Sequence, residues 1–256
     1  MSNSKLPDND REIRLKLLDH FRTTRDGDMA NVCHVFNVEF NSTHAVPDMK
    51  RLWRICHDLS IEGVITFGAP WNGGRPRYVV TPFGEKVLEG GKYTPYDPEG
   101  FIAQLRDDIP KIHEVIIRYL DEALACYLRH NLLASSVMIG GASEKALLEL
   151  IEAYINYLPA GREKDQFEKN VKKKMIKEKF KLLEKKLTDL RGGLSPELGD
   201  DLDELLGGIW NLIRRTRNEA GHPTGKQIQR HTVYANLMLF PSYCKRVYDL
   251  IEHFNK

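Results

Sequence analysis

The stretch 132–158, LLASSVMIGGASEKALLELIEAYINYL, holds the pattern that decides how the second half of the chain folds. Its apolar and small residues recur every three or four positions, which predicts one long amphipathic helix. The stripe consists of Leu133, Val137, Gly140, Glu144, Leu147, Ile151, Ile155 and Leu158. Glu144 is its charged member. Because an unpaired carboxylate on a core-facing position is costly, the sequence predicts a cationic partner on a neighbouring helix.

A cation interrupts a second apolar stripe in the same way. Within 202–220 this stripe consists of Leu202, Leu206, Ile209 and Ile213, and the next step four residues on is Arg217. A guanidinium on that face also needs a partner. We therefore expect the two helices to pack with Glu144 and Arg217 paired at their interface.

His222 is expected to lie near Arg217. Gly221 is typical of the residue just past a helix end, and Pro223 prevents the helix from continuing. The imidazole would then sit in the turn that follows the helix, close to the predicted ion pair.

These residues carry a resemblance to a known family. Residues 97–256 resemble the HEPN superfamily of helical domains, whose ribonuclease members have an arginine, a polar residue, three further residues and a histidine late in the bundle. The segment RRTRNEAGHPTG supplies this motif as Arg217, Asn218 and His222. The segment ASSVMIGGASEKALLELI resembles the family helix in which small residues precede a glutamate, here Glu144.

The resemblance implies an endoribonuclease that needs no metal or other cofactor and works at the cleft of a homodimer. RNA supplies its own nucleophile, the 2′-hydroxyl, so the enzyme needs only a base of near-neutral pKa and a cation on the phosphate. His222 would move the proton and Arg217 would bind the non-bridging oxygens. Asn218 would contact phosphate or orient the histidine, and Glu144 would position Arg217. The expected products are a 2′,3′-cyclic phosphate and a 5′-hydroxyl.

The resemblance also implies a biological setting, because proteins of this kind often belong to bacterial toxin or antiviral systems. An inhibitory or activating protein partner would fit such a system. Two other interpretations stay open. The chain can be a non-enzymatic DNA-binding regulator or scaffold dimerised through its helical bundle, with Glu144 and Arg217 as a buried structural pair and His222 as a cap of its helix.

The first 90 residues follow a different pattern. Three short helical stretches, 11–22, 29–40 and 47–63, the first two joined by a polar turn at 23–28, precede two β-branched runs. These runs, 64–67 and 78–81, lie on either side of a loop rich in glycine and proline. With the segments RLWRICHDLSIEGVI and RPRYVVTPFGEKVLEG, this order resembles a winged helix-turn-helix. The resemblance implies contacts to a DNA major groove from Lys50, Arg51, Arg54 and His57, and contacts from the wing through Arg75 and Arg77. Winged helices also serve as protein–protein modules.

Composition marks the boundary between the two parts. The segment GGKYTPYDPEG, 90–100, has three glycines and two prolines. We predict a mainly α protein with a winged-helix-like domain at 1–92, a linker at 93–100 and a HEPN-like helical domain at 101–256.

A basic segment, 162–191, departs from the family pattern and looks like an insertion. It has twelve basic and six acidic residues, a net charge of +6, in a chain whose total is +2. Such a block favours contact with a polyanion, with Lys172, Lys173 and Lys174 at its centre, although a solvated helix face has the same composition. Within it, Ile176, Phe180, Leu183, Leu187 and Leu190 form a helical seam that can dock on another helix.

Several classes of protein are disfavoured. No uncharged stretch approaches the roughly 20 residues of a membrane-spanning helix, and residues 1–10 lack the apolar region of a secretory signal. We therefore expect a cytoplasmic protein without a membrane partner. Cys33–His34 and Cys56–His57 could in principle bind zinc, but adjacent residues on a helix point about 100° apart. No metal site is predicted.

Overall fold

The structure is a computed structural model that describes residues 6–40, 45–68, 76–89, 94–199, 202–223 and 225–256. It is mainly helical and contains a small three-stranded sheet, which confirms the prediction of a mainly α protein. The chain forms two compact units, Met1–Glu99 and Gly100–Lys256. The predicted linker is too long, because its last residues, from Pro98, already belong to a helix.

In its described residues, the first unit combines four helices with the sheet. The helices are α1 (Asp10–Thr23), α2 (Met29–Val35), α3 (Val46–Ile61) and α4 (Pro82–Glu89). The strands are β1 (Asp26–Asp28), β2 (Ile65–Gly68) and β3 (Arg77–Val80), in the antiparallel order β1-β3-β2. The two predicted strands pair with each other, each within one residue of its expected bounds.

Two local features of this unit differ from the expectation. The helix predicted to run to residue 40 ends at Val35, and Asn37 has a φ of 54°, a left-handed conformation that asparagine tolerates. The segment 26–28, expected as a turn, forms β1. Its backbone pairs with β3, and Gly27 permits this pairing, because a Cβ there would lie 2.7 Å from the hydroxyl of Tyr78.

The second unit is a helical bundle around one long central helix. Its helices are α5 (Pro98–Asp108), α6 (Glu114–Leu128), α7 (Leu132–Tyr157), α8 (Arg162–Lys172), α9 (Ile176–Leu190), α10 (Pro196–Gly199), α11 (Ile209–Gly221) and α12 (Arg230–Phe254). A short π-helical segment, Asp203–Gly208, leads into α11. The helix α7 packs against α6, α11 and α12. Its buried face therefore organises the unit.

The basic segment forms two helices, α8 and α9. Phe180, Leu183 and Leu187 of the predicted seam are buried. The ring of Phe180 stacks on Trp210 of α11, with centroids 4.2 Å apart and an interplanar angle of 11°. The segment is therefore packed on the helix that carries Arg217.

Candidate functional site

Two consecutive glycines let neighbouring side chains lie directly on α7. A Cβ at Gly140 would lie 2.3 Å from Cγ and 2.6 Å from Cβ of Arg217, so the arginine stem rests on the bare backbone. A Cβ at Gly141 would lie 2.7 Å from the ring of Tyr119 on α6. Gly140 therefore sets how closely α11 approaches α7 at this level, and Gly141 sets how closely Tyr119 of α6 approaches it.

The backbone beneath this contact is tied to α12. The Ser143 hydroxyl donates to the carbonyl of Gly140 at 2.8 Å, and the Tyr243 hydroxyl donates to the carbonyl of Ser143 at 2.9 Å. Tyr243 is fully buried, which raises its pKa well above the usual range and keeps the hydroxyl protonated. The Arg217 stem thus lies on a segment of the α7 backbone that these hydrogen bonds hold in place.

The guanidinium of Arg217 has two partners. Its Nη2 lies 3.5 Å from Oε1 of Glu144, and its Nη1 donates to Oδ1 of Asn218 at 3.2 Å. The predicted pairing of Glu144 with Arg217 is therefore observed. The exposed fractions of the two side chains are 38% for Arg217 and 23% for Glu144.

The expectation that these two charges lie in the core is wrong. Eleven residues separate Leu133 from Glu144, which is close to three full helical turns, so both point the same way. Leu133 is 53% exposed. The stripe identified in the sequence therefore leaves the core at Leu133 and at Glu144, although Leu158 at its other end is buried, and the ion pair lies at the open edge of the α7–α11 contact.

His222 lies at the end of the helix that carries Arg217. Gly221 is the last helical residue, not the residue beyond it, and His222 is the C-cap with an extended backbone and an exposed side chain. Within the described residues, no hydrogen bond or ion pair joins His222 to Arg217, Asn218 or Glu144. The structure thus brings three of the four predicted catalytic residues into contact and leaves the imidazole free to meet a ligand.

The four predicted DNA-contacting residues of α3 are not equally available. Lys50 and His57 are exposed. Arg51, however, donates to Oδ1 of Asp10 at 2.5 Å and to the carbonyl oxygens of Pro7 and Asp8. Arg54 also bonds to Asp10. The residues before and at the start of α1 therefore neutralise two of the predicted cations, a long-range pairing that the sequence pattern could not show.

The remaining predicted nucleic-acid contacts lie in two places. Arg77 donates to Oδ2 of Asp26 across the sheet at 2.7 Å, and Arg75 lies outside the described residues. Lys172, Lys173 and Lys174 share the corner between α8 and α9, where Lys172 pairs with Glu168 at 2.6 Å.

Metal binding finds no support in this arrangement. Among the described residues, no group of three or more His, Cys, Asp and Glu side chains could hold a metal ion. Cys33 and Cys56 are both buried, and desolvation raises the pKa of Cys56 to about 12. The zinc alternative therefore lacks the ligand set it needs within the part of the chain described here.

Sequence reasoning missed a cleft at the start of α7. It has a volume of about 560 Å³ and is lined by residues 130–134 and 226–228. No motif marks these residues, because the two segments lie almost a hundred positions apart.

Comparison of the chain with protein-family models, with curated proteins and with solved structures finds no match. None of the described helices combines the length and the apolar character needed to cross a membrane.

Proposed function

We propose that the helical unit cleaves RNA by the metal-independent chemistry of HEPN ribonucleases. The observation that carries this proposal is the placement of Arg217. Its stem rests on Gly140, its guanidinium is held by Glu144 and Asn218, and more than a third of the side chain remains exposed. A guanidinium held in this way is pre-organised to bind a phosphate.

The chemistry needs one base, one acid and one cation. The 2′-hydroxyl of RNA attacks the adjacent phosphorus, its proton passes to His222, and the bond to the 5′-oxygen of the next nucleotide breaks. In a homodimer, His222 of the second copy returns a proton to that oxygen. Arg217 stabilises the charge on the non-bridging oxygens throughout. The products are a 2′,3′-cyclic phosphate and a 5′-hydroxyl, so atoms and charges balance.

Each of the other site residues has a part in this mechanism. Glu144 is a positioning residue, because it reaches the substrate only through the guanidinium. Asn218 also positions the guanidinium, and its amide protons can donate to a phosphate oxygen. The exposed imidazole of His222 lies at the C-cap of the same helix, one residue beyond the last helical residue.

The first unit is proposed to be a winged helix that recognises nucleic acid or a protein partner. Its support is the order of α1 to α4 with the β2–β3 hairpin and the exposed Lys50 and His57 on α3. A cytoplasmic toxin or antiviral protein, silenced or activated by a partner, fits this combination.

A cleavage assay in EDTA tests the nuclease. Single-stranded and structured RNA are incubated with the unmodified protein and with Arg217→Ala, Arg217→Lys and His222→Ala. We expect losses on the order of 100-fold or more for His222→Ala and Arg217→Ala. Arg217→Lys should recover little, because an ammonium cannot bind two phosphate oxygens in one plane.

Arg215→Ala is the matched control. Arg215 lies on the same helix, is 77% exposed and pairs with Glu219 at 3.6 Å, so its loss should leave cleavage unchanged. Activity on an all-DNA strand, which lacks the 2′-hydroxyl, would contradict the mechanism. No RNA cleavage, together with duplex DNA binding that weakens steeply with salt and depends on Arg54, would instead support the regulator.

A further inference from the structure

The cleft at the start of α7 has the size and lining of a ligand site. Its volume of about 560 Å³ falls within the roughly 300–1,000 Å³ of small-molecule sites. Residues 130–134 line one side and residues 226–228 line the other. Arg217 lies beside Gly140 of α7, and residues 226–228 lie beside the start of the same helix.

The lining offers a nucleotide two kinds of contact. Leu133 is 53% exposed and presents an apolar side chain on which a base can lie. Lys226 is 65% exposed, and its Nζ lies 3.5 Å from Oε1 of Glu219, so the ammonium lies near the surface and can contact a phosphate. The amides of Asn131 and Gln227 can donate to and accept from base edges.

One wall of the cleft is fixed by a cationic contact. Nη1 of Arg230 lies 2.6 Å from both ring nitrogens of His130, and the guanidinium lies 4.7 Å above the ring of Tyr127. Burial and the charge of Arg230 both lower the pKa of His130. Arg230 therefore holds this ring at the wall of the cleft.

The distance between the cleft and the proposed catalytic arginine is one that a short RNA strand can span. Seven residues of α7 separate Leu133 from Gly140, on which Arg217 rests, a length of about 10 Å. That distance equals the rise of about three stacked nucleotides. His222 comes between Arg217 and Lys226 in the sequence, so the chain that lines the cleft continues directly from the proposed site.

We propose that this cleft binds an unpaired nucleotide of the RNA strand whose scissile phosphate lies on Arg217. The inference rests on the proposed function and adds its substrate class: single-stranded RNA long enough to span from Arg217 to Lys226. The base lies against Leu133, and Lys226 contacts the phosphate of the same nucleotide.

Binding of a non-cleavable strand tests the cleft without requiring activity. The probe is a fluorescent six-residue oligouridine with 2′-O-methyl groups, whose 2′-oxygens have no proton to lose, and the readout is fluorescence anisotropy. Lys226→Ala and Leu133→Ala should each weaken binding about fivefold or more, the size of one lost contact. A dinucleotide probe, too short to reach from the cleft to Arg217, should bind the unmodified protein more weakly than the hexamer does.

Two matched variants control for charge and for apolar area. Lys111→Ala removes an exposed lysine that does not line the cleft, and Leu148→Ala truncates a leucine on α7 that is 38% exposed. Both should bind the hexamer as the unmodified protein does. Light scattering on all variants reports the oligomeric state, and a change confined to Leu133→Ala would identify the cleft as a subunit contact and overturn the proposal.

The outcomes separate this inference from the nuclease itself. If RNA is cleaved but hexamer binding does not respond to Lys226→Ala and Leu133→Ala, the nucleotide cleft is refuted and the nuclease stands. If the variants weaken hexamer binding and no RNA is cleaved, the nuclease is refuted and the nucleotide site stands. If the unmodified protein binds no hexamer, the nucleotide cleft is refuted, and the cleavage assay alone decides on the nuclease.

Discussion

Replacing Gly140 by alanine is the most direct test of how the site is built. The new methyl group would lie 2.3 Å from Cγ and 2.6 Å from Cβ of Arg217. Because the Cβ of Arg217 is fixed to the backbone of α11, rotating the arginine side chain relieves only part of the overlap. The two helices must separate, or the backbone must shift.

The expected change in the free energy of unfolding follows from two opposing effects. Overpacking a well-fitted contact costs about 1–3 kcal/mol, whereas alanine favours a helix interior over glycine by about 1 kcal/mol. Gly140→Ala should therefore reduce the free energy of unfolding by about 0–2 kcal/mol. Gly141→Ala meets only the ring of Tyr119, a side chain 40% exposed that can rotate outward. This variant should be unchanged or up to about 1 kcal/mol more stable.

The assay is calorimetric unfolding of both variants beside the unmodified protein, followed through the transition of the helical unit. For a domain of about 150 residues, 1 kcal/mol corresponds to roughly 2–4 °C. RNA cleavage should fall with Gly140→Ala and not with Gly141→Ala, because only the first moves Arg217. Gly140→Ala with a Tm and a cleavage rate equal to those of Gly141→Ala would refute the close packing from which the site is argued.

Three further predictions concern other parts of the chain. Asp10→Asn should release Arg51 and Arg54 and so tighten binding to duplex DNA. The slope of the binding constant against salt concentration should become steeper by about 1, and unchanged DNA binding would mean that α3 contacts no phosphate. Phe180→Ala should destabilise the helical unit by about 3–5 kcal/mol, because it removes the stack on Trp210. Met175→Ala, at a side chain that is 77% exposed, should have little effect. Equal effects of the two variants in a denaturant titration would contradict the docking of α9. Burial raises the pKa of Glu62 above its usual 4.5. The stability that this group contributes is therefore present below pH 4.5 and is lost as the pH rises through the raised pKa. Glu62→Gln should remove this part of the pH dependence of stability, and identical pH profiles of the two proteins would show that Glu62 is solvated.

The sequence was sufficient to predict the pairing of Glu144 with Arg217, because each charge interrupts an apolar stripe on a helix whose period is regular. It was not sufficient to predict their exposure. A stripe that steps by three and four residues drifts around the helix, and only the neighbouring helices determine which of its members are covered. The strand β1 escaped prediction for a related reason, since the residues Asp26–Asp28 have no strand propensity and pair only through their backbone.

Contacts between distant segments were beyond the reach of pattern analysis. Asp10 meets Arg51 across 41 positions, and the cleft joins residues around 130 to residues around 226. Neither pair is marked by spacing, because the distance along the chain carries no information about which loops meet. Two of the unpredicted features, the pairing of Arg51 and Arg54 of α3 with Asp10 and the cleft, are of this kind.

The energetics of the Glu144–Arg217 pair argue that it serves a ligand more than the fold. An ion pair with 38% and 23% exposed side chains, joined at 3.5 Å, contributes at most about 1 kcal/mol to stability. The glycine that admits the arginine stem lowers the stability of α7 by a similar amount, about 1 kcal/mol relative to alanine. The arrangement therefore adds almost nothing to the free energy of folding. A glycine inside this long helix brings no net gain in stability, but it allows a guanidinium to be held at the open edge of a helix contact. Such a local conflict is expected where a protein binds a substrate. The same comparison predicts that Glu144→Gln and Arg217→Ala will change the melting temperature little while they change RNA cleavage strongly, and a structural pair would give the reverse.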